Sequence, residues 1–248
     1  MALARAFQRV VVVCGVVVFG FCGSEAASPA AAQGPAIGWD GLYAGLHGGY
    51  GGADLNWTSN YPYPTPATPR PTAFDQSDAI WGGQLGVQLQ RGNLVFGVEA
   101  SLSGGFDRDD KGGVNLWAPG VGVMSARVNS LVLLTGRVGH SWGSTLGYLK
   151  AGYAAANIKL TTDDNVPGDF ISSSRQWYDG WVLGAGVEYL AMPNVVLGLE
   201  YNYGSVSGSA NTSVTTMGGG FINTFRSNVD LDIHTLLARL SLKFDFVD

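Results

Sequence analysis

Charge is scarce along this chain. Charged residues make up 13% of its 248 positions, about half the roughly 25% usual in a soluble domain. The formal net charge is −5, which excludes the basic surface a nucleic-acid binder requires. A disordered chain is excluded as well, because it would carry more charge and fewer aromatic residues than the 11% found here. Cysteine is nearly missing: the only two, Cys14 and Cys22, lie close to the N-terminus. Amphipathic helical periodicity of any length is lacking. So, after the first residues, is any run of about 18 apolar residues that could cross a membrane as a helix. Histidine occurs three times, as His47, His140 and His234, on three different predicted strands and without the spacing of a metal site.

The N-terminus reads as an export signal. "MALARAFQR" carries Arg5 and Arg9 and no acid, and Val10 to Phe21 is an apolar run of about a dozen residues. That is the length of a signal's apolar core and too short to span a bilayer. Small residues follow, and both Ala26 and Ala32 suit a cleavage site. The expected organisation is a signal peptide within 1–32, cut near 26 or 32, and one β domain over 33–248. Both cysteines leave with the signal, so disulfides and cysteine-bound metals are excluded from the mature chain.

What the chain does have is glycine, 37 residues of it, and a period-two alternation from Trp39 onward. Eight strands are predicted, over about 41–52, 78–90, 94–104, 126–141, 145–159, 177–191, 195–205 and 231–246. Their connections alternate in length. "RGN" (Arg91–Asn93), "WGS" (Trp142–Ser144) and "MPN" (Met192–Asn194) are tight, whereas 53–77, 105–125, 160–176 and 206–230 are long. Short turns at one end and long loops at the other describe an all-β, eight-stranded antiparallel up-and-down transmembrane β-barrel.

The two faces of each strand differ. In "LVFGVEASL", Leu94, Phe96, Val98, Ala100 and Leu102 oppose Val95, Gly97, Glu99 and Ser101. The same division places Arg137, Lys150, Glu188, Glu200, Arg239 and Lys243 opposite bulky apolar neighbours. A water-facing outer surface has no need of so much glycine, whereas a crowded narrow lumen does. The apolar face is therefore expected to meet lipid, with Trp39, Trp81, Tyr153, Trp177, Trp181, Tyr189, Tyr203 and Phe246 in interfacial girdles. The seven charges Glu99, Arg137, Lys150, Glu188, Glu200, Arg239 and Lys243 are expected to form a lumen network. An eight-stranded lumen is just wide enough for side chains to fill it, so each charge needs a partner. The network either plugs the barrel or lines a path for ions or protons.

"WDGLYAGLHGGYGG", "GGQLGVQLQRGNLVFGVEASLSG", "LLTGRVGHSWGSTLGYLKAGYA" and "GWVLGAGVEYLAMPNVVLGLEYNYG", with the alternating last strand, resemble the small outer-membrane proteins of alphaproteobacteria. These are the porin-family or outer-membrane β-barrel domain proteins related to opacity-type adhesins. The resemblance covers about 39–248. It implies a location in the outer membrane of a Gram-negative cell, in contact with outer-membrane lipid, with variable surface loops. It also implies recognition of the C-terminal strand by the barrel-assembly machinery. Family roles include envelope integrity, host contact and, in some relatives, haem binding. One departure is that Val247 and Asp248 follow Phe246, where such barrels usually end on the aromatic residue.

No catalytic, cofactor or metal site is expected. His140-Ser141 has the residue types of a nucleophile and base, but adjacent residues on a strand point to opposite faces. The pair also abuts a short turn, on the side away from the outer leaflet. "DDNVPGD" (Asp163–Asp169) is acidic but lacks the spacing and terminal glutamate of a calcium loop. "NYPYPTPATPRP" holds five prolines, which favours a stiff extended segment displaying Tyr61 and Tyr63 to a host or envelope ligand. The functional expectation is a structural, envelope-integrity and surface-interaction barrel. The alternatives are a porin-like small-solute channel and a haem-binding or adhesin barrel.

Overall fold

The computed structural model describes residues 38–59, 70–105, 110–113, 123–163, 172–215 and 222–245. Its strands are β1 (Gly41–Ser59), β2 (Arg70–Arg91), β3 (Leu94–Gly104), β4 (Asp110–Gly113), β5 (Val123–Trp142), β6 (Thr145–Asp163), β7 (Ser172–Met192), β8 (Val195–Thr215) and β9 (Ile222–Phe244). All pair antiparallel in the order β3-β2-β1-β9-β8-β7-β6-β5-β4, and a β3–β5 pairing closes the sheet. The short β4 continues the stave of β3 along β5. The nine strands therefore make a closed barrel of eight staves, and closure removes the free edges that an open sheet would expose.

The three tight connections are two-residue turns, Gly92-Asn93, Gly143-Ser144 and Pro193-Asn194. Gly92 (φ 61°) and Gly143 (φ 64°) sit in the left-handed region, where a side chain would strain the backbone. The strands run well past the expected boundaries at the opposite end. β1 and β2 stay in register out to Ser59↔Arg70, and β8 and β9 out to Thr215↔Ile222. A stretch predicted as loop is thus largely hairpin. The apolar alternation shortens and thins out beyond the membrane, but backbone pairing continues through the Ser-, Thr- and Asn-rich segments. Tyr61, Tyr63, the signal segment, most of "DDNVPGD" and the residues from Phe246 onward lie outside the described residues.

Leucines and aromatics cover the outer wall: Leu46, Leu85, Leu134, Leu149 and Leu183 are all more than half exposed. Trp142, Tyr189 and Met192 lie near the short turns, and Trp81, Tyr153, Trp177 and Trp181 toward the other end. Eight to twelve residues separate Tyr189 from Trp181 and Trp177, which for tilted strands is roughly 20–30 Å along the axis. That range brackets the ~25 Å apolar band of such barrels. Trp39 departs from the girdle expectation. It is fully buried, packed with Val95, Leu146, Tyr148, Leu190 and Val196 inside the short-turn end. Its indole Nε1 donates to the carbonyl of Gly143 at 3.1 Å, and its backbone N–H donates to Gln90 Oε1 at 2.7 Å.

Candidate functional site

The lumen is built in three layers. The middle one is charged. Glu99 of β3, Arg137 of β5, Lys150 of β6, Glu188 of β7, Glu200 of β8 and Arg239 of β9 are each at most 5% exposed. Tyr43 of β1 and Gln88 of β2 complete it, so every stave contributes at least one side chain.

Glu99 is the hub. It pairs with Lys150 at 3.2 Å and with Arg137 at 3.8 Å, takes both terminal nitrogens of Arg239, and accepts from Tyr43 Oη at 2.8 Å. Glu200 accepts from Lys150 at 2.6 Å, from Tyr148 Oη at 2.6 Å, from Asn202 Nδ2 at 3.0 Å and from Arg239. Arg137 donates to both oxygens of Glu188, at 3.1 and 3.3 Å, and to Gln88. Its guanidinium lies between the rings of Tyr43 and Tyr148, 4.5 and 4.9 Å from their centroids. Three acids therefore meet three bases, and each carboxylate accepts several donors, which is the condition for burying such groups.

Glycine makes the room. A Cβ on Gly186 would lie 2.5 Å from Tyr148 Oη, and one on Gly86 would overlap the Tyr43 hydroxyl. Each tyrosine lies over a glycine of the next strand and reaches a glutamate beyond it. Gly97 and Gly184 likewise leave space for the stems of Arg137 and Lys150.

Apolar layers close the charged one on both sides. Toward the short turns stands the Trp39 cluster. Toward the long loops stand Ile80, Leu131, Leu133, Ile158, Tyr178, Val182 and their neighbours. A cavity of about 10 Å³ lies between the second apolar layer and the charges, beside Asn202 and Thr235, and has room for about one water.

Lys243 stands apart from the other six. It binds the carbonyl of Gly38 at 2.6 Å and pairs with Asp245 at the short-turn rim. The apolar layers were also not anticipated. Their signal is the loss of alternation in Leu131-Val132-Leu133-Leu134, Ala154-Ala155-Ala156 and Leu236-Leu237, where both faces of a strand are buried or lipid-facing.

The histidines lie on different parts of the wall. His47 is buried in the lumen, with Gln84 Oε1 on one ring nitrogen at 2.7 Å and Ser103 Oγ on the other at 2.8 Å. His234 faces outward and shares a hydrogen bond with Tyr201 Oη at 2.7 Å. His140 stacks at a tilt on Trp142, while Ser141 is buried on the opposite face. Among the described residues no group of three or more His, Cys, Asp or Glu could hold a metal ion.

A family model described as an outer membrane protein beta-barrel domain matches residues 15–244. A 22 kDa outer membrane protein of Rhizobium leguminosarum bv. viciae is 29% identical over 174 residues, covering 68% of this chain and 65% of that protein. The chain thus spans just under two thirds of that relative's length. A 25 kDa outer-membrane immunogenic protein of Brucella ovis is 25% identical over 187 residues, covering 75% of this chain and 79% of that protein. The crystal structure of the outer membrane protein OprG from Pseudomonas aeruginosa superposes with a TM-score of 0.56 at 15% identity, over 86% of this chain and 100% of that one. That likeness is one of fold.

Proposed function

This chain belongs to the outer membrane protein beta-barrel domain family and lies in the Gram-negative outer membrane, and on that premise we propose that it is a closed structural barrel. It supports envelope integrity and presents its long-loop end, with Tyr61 and Tyr63, to an envelope or host ligand. In this reading it is exported by its N-terminal signal, assembled through its C-terminal strand by the barrel-assembly machinery, and performs no catalysis. The observation that carries the proposal is the buried six-charge layer held between two apolar layers. A conducting lumen would need water along its charged side chains, and water-filled pores in this class use about sixteen strands.

His47 argues against haem in the lumen, because both its ring nitrogens already have protein partners. The test is single-channel conductance of the refolded protein in a planar bilayer, with Glu99→Gln alongside. The expected result is no steady current from either. A reproducible current altered by Glu99→Gln would replace the closed barrel with a channel.

A further inference from the structure

We propose that Lys159 of β6 and Arg175 of β7, with Arg127 of β5 beside them, form a binding site on the outer wall for the phosphate of an outer-leaflet lipid headgroup. The strand register brings them together. Arg127 is paired with Lys159 across β5–β6, and Lys159 with Arg175 across β6–β7. Paired residues share a face, and that face is the outer one. Val128, Ile158 and Tyr178 point into the lumen, while Arg175 and Trp177 are exposed. Three cations therefore stand in one row across adjacent staves about 4.8 Å apart.

Their height matches a headgroup. Trp181 pairs with Tyr153, and Trp177 with Asn157 four residues higher, so this side of the barrel carries its upper aromatic girdle at those residues. The cations come two residues beyond Trp177 and six beyond Trp181, roughly 5–15 Å above the girdle residues once strand tilt is allowed for.

Like charges placed directly opposite one another across a sheet repel. Arg127 is already engaged in an interaction of its own, so the site rests on Lys159 and Arg175. A second row is acidic: Asp54 of β1 is paired with Asp75 of β2 and Asp232 of β9. β1 stands opposite β6, while β9 is two staves from β7 and β2 is two staves from β5, roughly 10 Å at the spacing of neighbouring strands. At that separation these aspartates make no direct ion pair with Lys159 or Arg175. Asp179 on β7 and Asp163 on β6 are four residues along their strands from Arg175 and Lys159, roughly 13 Å. An anion bound from the membrane would relieve the repulsion, and the lipid headgroup is the anion present at that height.

The test uses the refolded full chain in detergent micelles with lipid A, the phosphorylated outer-leaflet glycolipid, as the probe. Wild-type protein should bind lipid A at least tenfold more tightly than dephosphorylated lipid A. The double variant Lys159→Gln/Arg175→Gln should lose that preference, and Lys159→Arg/Arg175→Lys should restore it, with folding of each checked by its heat-modifiable gel mobility. Equal affinity of the wild type for the two lipids would overturn the proposal without recourse to any variant. An undiminished preference in the folded double-Gln variant would overturn the assignment to these residues. Inorganic phosphate competing as effectively as lipid A at equal concentration would overturn the lipid as ligand.

Discussion

Replacing Glu99 by Gln should destabilise the folded barrel by about 3–5 kcal/mol, the usual cost of leaving a buried ion pair one-sided. The magnitude follows from the surroundings of the carboxylate. Lys150 and Arg239 approach Glu99 Oε1 at 3.2 Å each, and Arg137 approaches Oε2 at 3.8 Å. At an effective dielectric of about 20, one such contact is worth ~5 kcal/mol of Coulomb energy. Three would far exceed the predicted loss, but the glutamine carbonyl still accepts from Arg239 and Lys150, and the remaining acids Glu188 and Glu200 share the cations. What is left is one uncompensated positive charge in a layer whose members are at most 5% exposed. The assay is equilibrium urea unfolding in lipid vesicles. With a slope of about 3 kcal/mol per molar, the midpoint should fall by roughly 1–1.7 M. Adding Lys150→Met removes one charge of each sign, so the double variant should be more stable than the sum of the single losses predicts, by at least ~1 kcal/mol. A Glu99→Gln midpoint within ~0.3 M of wild type, or strictly additive losses, would refute the claim that the layer is a coupled set of charges.

Further outcomes are expected elsewhere. Trp39→Ala should cost about 3–5 kcal/mol by emptying the short-turn end of the lumen, yet give no steady conductance, because the charged layer stays shut; vesicle unfolding and planar bilayers read the two effects. Gly186→Ala drives a methyl into the Tyr148 ring and should cost ~1–3 kcal/mol, with part of that loss absent when Tyr148→Ala is already in place. Leu149 faces lipid midway between the girdles, so Leu149→Arg should cost about 2–4 kcal/mol, against about 0–1 for Ala155→Arg near the outer girdle. Unheated protein should migrate differently from boiled protein in SDS gels, since a closed barrel offers no edge at which to open; identical bands from membrane-reconstituted protein would count against closure.

The barrel itself was legible because lipid imposes a simple rule. Apolar side chains must alternate outward wherever a strand crosses, and Leu94, Phe96, Val98 and Leu102 on β3 obey it residue by residue. Glu99, Glu188 and Glu200 were legible for the same reason, each being the charged exception on the small-residue face. Trp39 was not, because an aromatic just before a strand has the same appearance whether it anchors in the interface or folds beneath the barrel. Its burial against Val95, Leu146 and Tyr148 and its hydrogen bonds to Gly143 and Gln90 distinguish the two. Lys243 shares strand, face and chemistry with Arg239, but stands four residues nearer the rim, where Asp245 and the chain entering β1 reach it first. Extension of β1 and β9 left only short period-two traces, Ala53-Leu55-Trp57 and Val229-Leu231-Ile233, and the Ser-, Thr- and Gly-rich extension of β8 left almost none. The cationic row depends on register across three strands, which no single strand's pattern contains.

Register is also where the charged layer contributes something that alternation cannot. A slip of one residue between neighbouring strands turns every leucine of a stave into the lumen and is excluded by hydrophobicity alone. A slip of two residues keeps every face correct and costs little in the apolar layers, where leucine, valine, alanine and glycine interchange along the strand. In the charged layer the same slip carries Glu99 about 6.6 Å along its stave, beyond reach of Lys150 and Arg239, whose contacts with it are 3.2 Å long. Two or more ions would then be stranded in a dry lumen at several kcal/mol each. Because each of the eight staves contributes to the layer, a slip at any seam breaks contacts in it: ion pairs among β3 and β5 to β9, and at β1 and β2 the hydrogen bonds of Tyr43 to Glu99 and of Gln88 to Arg137. Six ionic groups in a place where leucine and glycine would fill the space are thus a condition on how the barrel closes, as well as on what passes through it.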